Sequence, residues 1–165
     1  MKYSVGLTQN KVEVYVYLTG SKVEKRLARQ PQLLSLAKEV LSEITLNKPE
    51  VCIEYDLKRQ IGYDFIIKTT DQDSVFYACL VKDKTFTPFI KSGDPIPTSY
   101  LTLMLRQDVD MNYEMYDIWI GRHAPPLPGS TEATDDSKPF WLNHAFILGD
   151  QTLQTQTLTK ICPYQ

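Results

Sequence analysis

The chain of 165 residues holds two histidines, His123 and His144, and imidazole is the side chain that both accepts and donates a proton near neutral pH. His123 follows Trp119-Ile120-Gly121-Arg122 and leads into Ala124-Pro125-Pro126-Leu127-Pro128-Gly129. At a strand end before a proline loop it reads as the more exposed of the two, in the kind of segment that carries function. His144 lies within Phe140-Trp141-Leu142-Asn143-His144-Ala145-Phe146-Ile147, where aromatic and aliphatic neighbours predict a buried, hydrogen-bonded ring. Arg122 offers a cation for an anionic group, against the alternative of a solvated charge. Both tryptophans, Trp119 and Trp141, fall in these same blocks, and with Lys91 they are the candidate binding side chains.

A second constellation is Glu54-Tyr55-Asp56-Leu57-Lys58. Alternate residues of a strand share a face, so Glu54, Asp56 and Lys58 are expected to line up opposite Ile53, Tyr55 and Leu57. Two carboxylates and a lysine are the parts of a magnesium-dependent nuclease, because hard cations take oxygen ligands. The same pattern is what a solvent-facing strand of an amphipathic sheet produces, and that plainer reading is preferred. The chain has no Gly-rich phosphate loop, no GxSxG elbow and no HExxH.

Composition narrows the function classes. Apolar residues make 42% and charged residues 23% of the chain, the balance of an ordinary globular protein. A net charge of -2 argues against a broad electrostatic grip on nucleic acid. The aromatic residues (10 Tyr, 6 Phe, 2 Trp) lack the accompanying positive groove of a single-strand binder, and most read as core or sheet pairs. Cys52, Cys79 and Cys162 are widely spaced with no CxxC, which predicts reduced thiols, no metal site and no cofactor. The start of the chain lacks a signal-peptide core, and no apolar run approaches the roughly 18 residues of a membrane span. A cytoplasmic protein with no membrane partner is expected, its oligomeric state open.

Residues 2–7 and 11–18 predict an opening hairpin, the second run alternating Val12, Val14 and Val16 with Glu13, Tyr15 and Tyr17 about a Gln9-Asn10 turn. Ser21 and Glu24 have capping-box spacing for a short helix, which Pro31 breaks or restarts. From 32 to 46, Leu33, Leu34, Ala37, Val40, Leu41 and Ile44 follow helical spacing and predict one long amphipathic helix. Strands are then expected at 51–57, 61–68, 75–81, 86–91, 100–105 and 113–121, with a polar turn at 82–85, a loop at 92–97 and a long proline-rich loop at 121–139. The tail from 149 is open between an edge strand and an irregular segment. The expectation is an α+β fold: hairpin, long helix, then a mainly antiparallel sheet covered on one face. It is read as a single domain, 1–165, with a hairpin-and-helix subregion at 1–46 and a sheet subregion at 47–165.

From about Ile61 onward, one ordered set of pieces stands out: Thr98 with Leu101-Thr102, Trp119-Ile120-Gly121, the Ala124 to Gly129 proline loop, Phe140-Trp141 with His144-Ala145, and Cys162-Pro163-Tyr164. In this order the chain resembles a family of small, functionally uncharacterised bacterial proteins. Its members carry a Thr-x-x-Val-Thr strand, a strand ending in aromatic-Ile-Gly, an Ala-Pro-Pro-x-Pro-Gly loop, Phe-Trp-x-x-His-Ala and a terminal Cys-Pro-aromatic. The sheet portion also resembles, more loosely, the metal-independent ribonuclease fold of many bacterial toxins. That likeness implies attack of an RNA 2'-hydroxyl on its own phosphate, with His123, His144, Arg122 and Thr98 as the catalytic parts. Pro88 stands where the family has arginine, and Asp117 where it has threonine; a lost cation and a gained carboxylate both work against a charged phosphate.

Two functions are therefore expected in order. The first is a non-catalytic accessory module that binds another, unidentified protein through the proline loop and neighbouring aromatic surface. The second is a metal-independent endoribonuclease acting on RNA through His123 or His144.

Overall fold

Lys2–Leu7 (β1) and Glu13–Tyr17 (β2) pair as the antiparallel hairpin that the valine alternation predicts. The computed structural model describes residues 1–79, 85–91, 93–147 and 157–164. Lys22–Arg29 (α1) follows with a capping box: the Ser21 hydroxyl accepts from the Glu24 N–H at 3.0 Å, and the Glu24 carboxylate accepts from the Gly20 N–H at 2.5 Å. Pro31 restarts the helix as Gln32–Leu41 (α2).

That helix corrects the sequence expectation, since it stops at Leu41 and not at 46. The hairpin turn captures the backbone beyond it. The Gln9 N–H donates to the Ile44 carbonyl at 2.9 Å, and Asn10 donates to the Leu46 carbonyl at 2.9 Å while accepting from the Leu46 N–H at 3.3 Å. Buried or half-buried backbone groups must find partners, and here a distant turn supplies them in place of another helical turn.

Glu50–Asp56 (β3), Tyr100–Gln107 (β9) and Tyr113–Ile120 (β10) complete one five-stranded sheet in the order β1-β2-β10-β9-β3, antiparallel except where β10 meets β2. Leu101, Leu103 and Leu105 are 0% exposed and face the helices, α2 packing on β1, β9 and β10 and α1 on β10 and β2. The alternate residues Tyr100, Thr102, Met104 and Arg106 turn to the other face, beside Cys52 and Glu54 of β3.

The run expected as one strand at 61–68 is two: Gly62–Asp64 (β4) pairs with Ile96–Thr98 (β8), whereas Ile66–Lys68 (β5) enters a second five-stranded sheet. Asp64 makes the break by accepting from the Ile66 N–H at 3.0 Å. The second sheet runs β12-β5 through Phe76–Cys79 (β6), Phe86–Ile90 (β7) and His144–Ile147 (β11), in the order β12-β6-β7-β11-β5, with Thr157–Thr159 as β12. Two five-stranded sheets and the separate β4–β8 pair thus replace the single sheet expected. The loop expected across 121–139 is shortened by Ser137–Trp141 (α3), which takes Pro139 into a helix. The expected turn at 82–84, the strand end at 80–81, Ser92 and the tail at 148–156 lie outside the described residues.

Contacts group the chain into two compact units, Met1–Gly62 with Thr98–His123, and Tyr63–Pro97 with Ala124–Gln165. The hairpin of 1–46 therefore shares its sheet with strands from 47–165. The first unit has a large aliphatic core around Leu33, Val40, Leu41 and the β9 leucines. The second is aromatic, built on Tyr77, Trp141 and Tyr164, with a smaller cluster of Ile90, Ala145 and Ile147. Among the described residues no helix is long and apolar enough to cross a membrane, and no cluster of three or more His, Cys, Asp or Glu could hold a metal ion.

Candidate functional site

In the first unit, β10 ends in a fold-back that Gly121 permits, its φ of 115° being open to glycine and rarely to L side chains. The Gly121 N–H donates to the Tyr100 carbonyl at 2.9 Å, and its carbonyl accepts the Thr102 hydroxyl at 2.7 Å. Trp119 closes the turn by donating its indole N–H to the Arg122 carbonyl at 3.0 Å. The Trp-Ile-Gly piece is thus a local device that turns Arg122 and His123 back over the face opposite the helices.

Glu54 receives them. One carboxylate oxygen accepts the His123 backbone N–H at 2.6 Å, and the other pairs with the Arg122 guanidinium at 3.4 Å. Arg122 also lies over the Tyr100 ring at 4.5 Å from its centroid. The His123 ring stands 6.2 Å from the Trp119 ring, tilted, and among the described residues no hydrogen bond orients the imidazole. A carboxylate, a guanidinium, an imidazole and two aromatic faces therefore share one patch, with both carboxylate oxygens already engaged.

The same chemistry recurs along this sheet. Arg106 pairs with Glu114 at 3.0 Å and lies 4.8 Å from the Tyr116 ring centroid, whose hydroxyl donates to Glu50. Burial and the Glu50 contact push the Tyr116 phenol up to about 12. Arg26 of α1 pairs with the nearly buried Asp117 at 2.5 Å, Lys22 stands 3.7 Å from the same carboxylate, and Arg26 lies 5.6 Å from the Trp119 ring. Asp117, flagged in the sequence as out of place for a phosphate site, is the anchor of a helix on a strand.

Thr98 is also in this unit, but it is a buried residue whose hydroxyl accepts from the Tyr100 N–H at 3.2 Å, a turn contact. The nuclease alignment of Glu54, Asp56 and Lys58 is not built: β3 ends at Asp56, and Lys58 lies in a left-handed turn at φ 62°. Asp56 serves that turn, its carboxyl held down to about 2 by the Ser99 hydroxyl and by the Lys58 N–H.

His144, Trp141 and Lys91 belong to the second unit. The His144 ring stacks on Phe140 with centroids 3.8 Å apart, and Nδ1 donates to the Phe140 carbonyl at 2.8 Å. A carbonyl only accepts, so Nδ1 carries the proton. Trp141 is 2% exposed and donates its indole N–H to the Pro125 carbonyl at 2.9 Å, which makes it a core residue that pins the proline loop. Lys91 lies 4.6 Å from the Phe76 ring centroid.

The structure thus gathers Trp119, Arg122 and His123 with two residues the sequence reading had not joined to them, Glu54 and Tyr100. Strand alternation put Glu54 outward on β3, but its pairing with Thr102 of β9, which brings it beside the end of β10, leaves no trace in local pattern. Compared with family models, with curated proteins and with solved structures, the chain matches none.

Proposed function

We propose that the chain is a non-catalytic protein-interaction module whose contact surface is the face of the first unit's sheet opposite its helices. The observation that carries this is the threefold recurrence of an arginine paired with a carboxylate and lying over an aromatic ring: Arg122 with Glu54 and Tyr100, Arg106 with Glu114 and Tyr116, and Arg26 with Asp117 and Trp119 at the sheet's border. Arginine, tyrosine and tryptophan are the side chains that concentrate binding energy at protein interfaces. Pairing and stacking fix each guanidinium before a partner arrives, which lowers the entropy lost on binding. Each cation is matched by an anion, so the face presents little net field for a phosphate backbone.

A photo-crosslinking residue at Tyr100 or Tyr116 is expected to trap a partner protein in cells, whereas one at the exposed Lys25 of α1 is not. Arg106→Glu with Arg122→Glu is expected to abolish the adduct while circular dichroism stays unchanged. Equal trapping at all three positions would defeat the proposal.

A metal-independent endoribonuclease is the second reading, and the nearness of His123, Arg122 and Glu54 favours it. Against it, Glu54 is spent on a backbone N–H and a guanidinium, and among the described residues the imidazole has no orienting hydrogen-bond partner of the kind a general base uses. Cleavage of a fluorogenic RNA by the purified chain, lost in His123→Ala with the fold kept, would establish this reading over the first.

A further inference from the structure

The five-stranded sheet of the first unit has two border strands, β1 and β3, and they are protected differently. An open strand edge offers unpaired N–H and C=O groups to any other extended chain, so folds blunt it with charge, bulges or cover. On β3 the guard is Glu50, Glu54 and Asp56. Two copies paired antiparallel about Ile53 would set Glu50 against Asp56, and like charges directly opposite destabilise a ladder. Among the described residues β1 pairs with β2 alone, and it lacks this guard. Lys2 is the one charged side chain of Lys2–Leu7, and it lies back over its own sheet, its ammonium 4.0 Å from the Tyr15 ring centroid. Tyr3 is 49% exposed, with Lys2 and Ser4 exposed on either side of it.

The register of the hairpin fixes which backbone groups face out. The Leu18 N–H donates to the Met1 carbonyl at 3.1 Å, and two residues along Tyr3 pairs with Val16. Hydrogen-bonded pairs alternate with non-bonded ones in an antiparallel ladder, so Tyr3 bonds inward to β2 while Lys2 and Ser4 turn their N–H and C=O outward. The bulge after Ser4 ends the regular edge and confines pairing to this stretch. We propose that two copies of the chain pair antiparallel along β1, with the two-fold axis at Tyr3. Lys2 then lies opposite Ser4 of the second copy, and each such pair exchanges both its backbone hydrogen bonds. Tyr3 meets its own counterpart at the non-bonded site, where side chains stand closest. The edge is complementary to itself: no charge faces a like charge, and the two-fold closes, so assembly stops at a dimer. The sheet face opposite the helices is not consumed, so the pairing does not depend on its role.

Light scattering on the full chain after size exclusion is expected to show a dimer that dissociates on dilution. Ser4→Pro removes an outward N–H that β2 does not use, a change that edge strands accept, so circular dichroism should stay unchanged. Each dimer then loses two backbone hydrogen bonds, and the dissociation constant should rise at least about tenfold. Tyr3→Glu and Tyr3→Lys should each be monomeric alone, whereas an equimolar mixture should recover the dimer, because position 3 faces itself across the axis. Two variants that merely misfolded would not rescue each other. The proposal is overturned by a wild-type chain still monomeric at about 1 mM, or by a mixture without recovery. Mass that grows without limit, as β1 pairing with β3 of the next copy would give, overturns it equally.

Discussion

At the scale of single residues, Asp117 and Cys52 show how position decides chemistry. Asp117 is a carboxylate in the middle of a strand, and its side chain is only 10% exposed because Arg26 and Lys22 of α1 converge on it. Its backbone neighbour Ile118 donates to the same carboxylate, which leaves it a structural anchor. Cys52, which like Asp117 pairs with Met104 of β9, lies on the face of the sheet turned away from the helices. Although the residue as a whole is exposed, partial burial of its thiol and then the Glu54 charge raise it to about 11 from an ordinary 9.0. A proton held more tightly in the folded than in the unfolded chain stabilises the fold below the unfolded value, near 9, and that contribution is lost as pH rises through about 11. The residue is exposed and solvent screens its charge, so the contribution should be about 1 kcal/mol. Urea denaturation between pH 8 and 11 is expected to fall less steeply for Cys52→Ala than for the wild type, and iodoacetamide should label Cys52 more slowly than a free cysteine peptide at pH 8. Parallel pH profiles of the two proteins would refute the assignment.

At the scale of elements, what could be read in the sequence was whatever local chemistry controls. The hairpin, the Ser21–Glu24 cap and the Pro31 restart all appear where residue types put them. The end of α2 does not, because Leu33 to Ile44 keeps helical spacing while Gln9 and Asn10, far off in sequence, take the backbone that another turn would have used. Likewise Asp64 divides an apolar run that periodicity alone joins into one strand. Gly62, at the head of β4, illustrates a contact invisible to pattern: a Cβ there would stand 2.9 Å from Cγ2 and 3.2 Å from Cδ1 of Ile120 on β10. Gly62→Ala is expected to cost about 1–2 kcal/mol through overpacking. In the Ile120→Ala background most of that cost should vanish, a coupling of about 1 kcal/mol in a double-mutant cycle followed by chemical denaturation. Additive losses would show that the two positions do not press on each other.

At the scale of the whole molecule, the α+β class was legible, but the number of sheets was not, because strand signals carry no record of which strands pair. The chain passes between the two units near Gly62, Pro97 and His123. Glycine and proline punctuate all three passages, yet the same residues mark ordinary turns, so they could not announce a boundary. The candidate site suffered in the same way: Arg122, His123 and Trp119 were visible as a run, while Glu54 and Tyr100 joined them only through the β3–β9–β10 pairing. Separate cores carry a consequence for stability. The aliphatic core of the first unit contains no member of the Tyr77, Trp141 and Tyr164 cluster. Local opening should therefore follow the units, since cooperative unfolding tracks shared buried contacts. Trp141→Ala removes a fully buried ring and the anchor of the Pro125 carbonyl, a loss of about 3–5 kcal/mol confined to the second unit. Hydrogen exchange should accelerate at Tyr77, Phe89 and Ala145 while Leu101, Leu103 and Ile118 keep their wild-type protection. Equal acceleration in both groups would mean that the two cores unfold as one, whatever their separation in the folded chain.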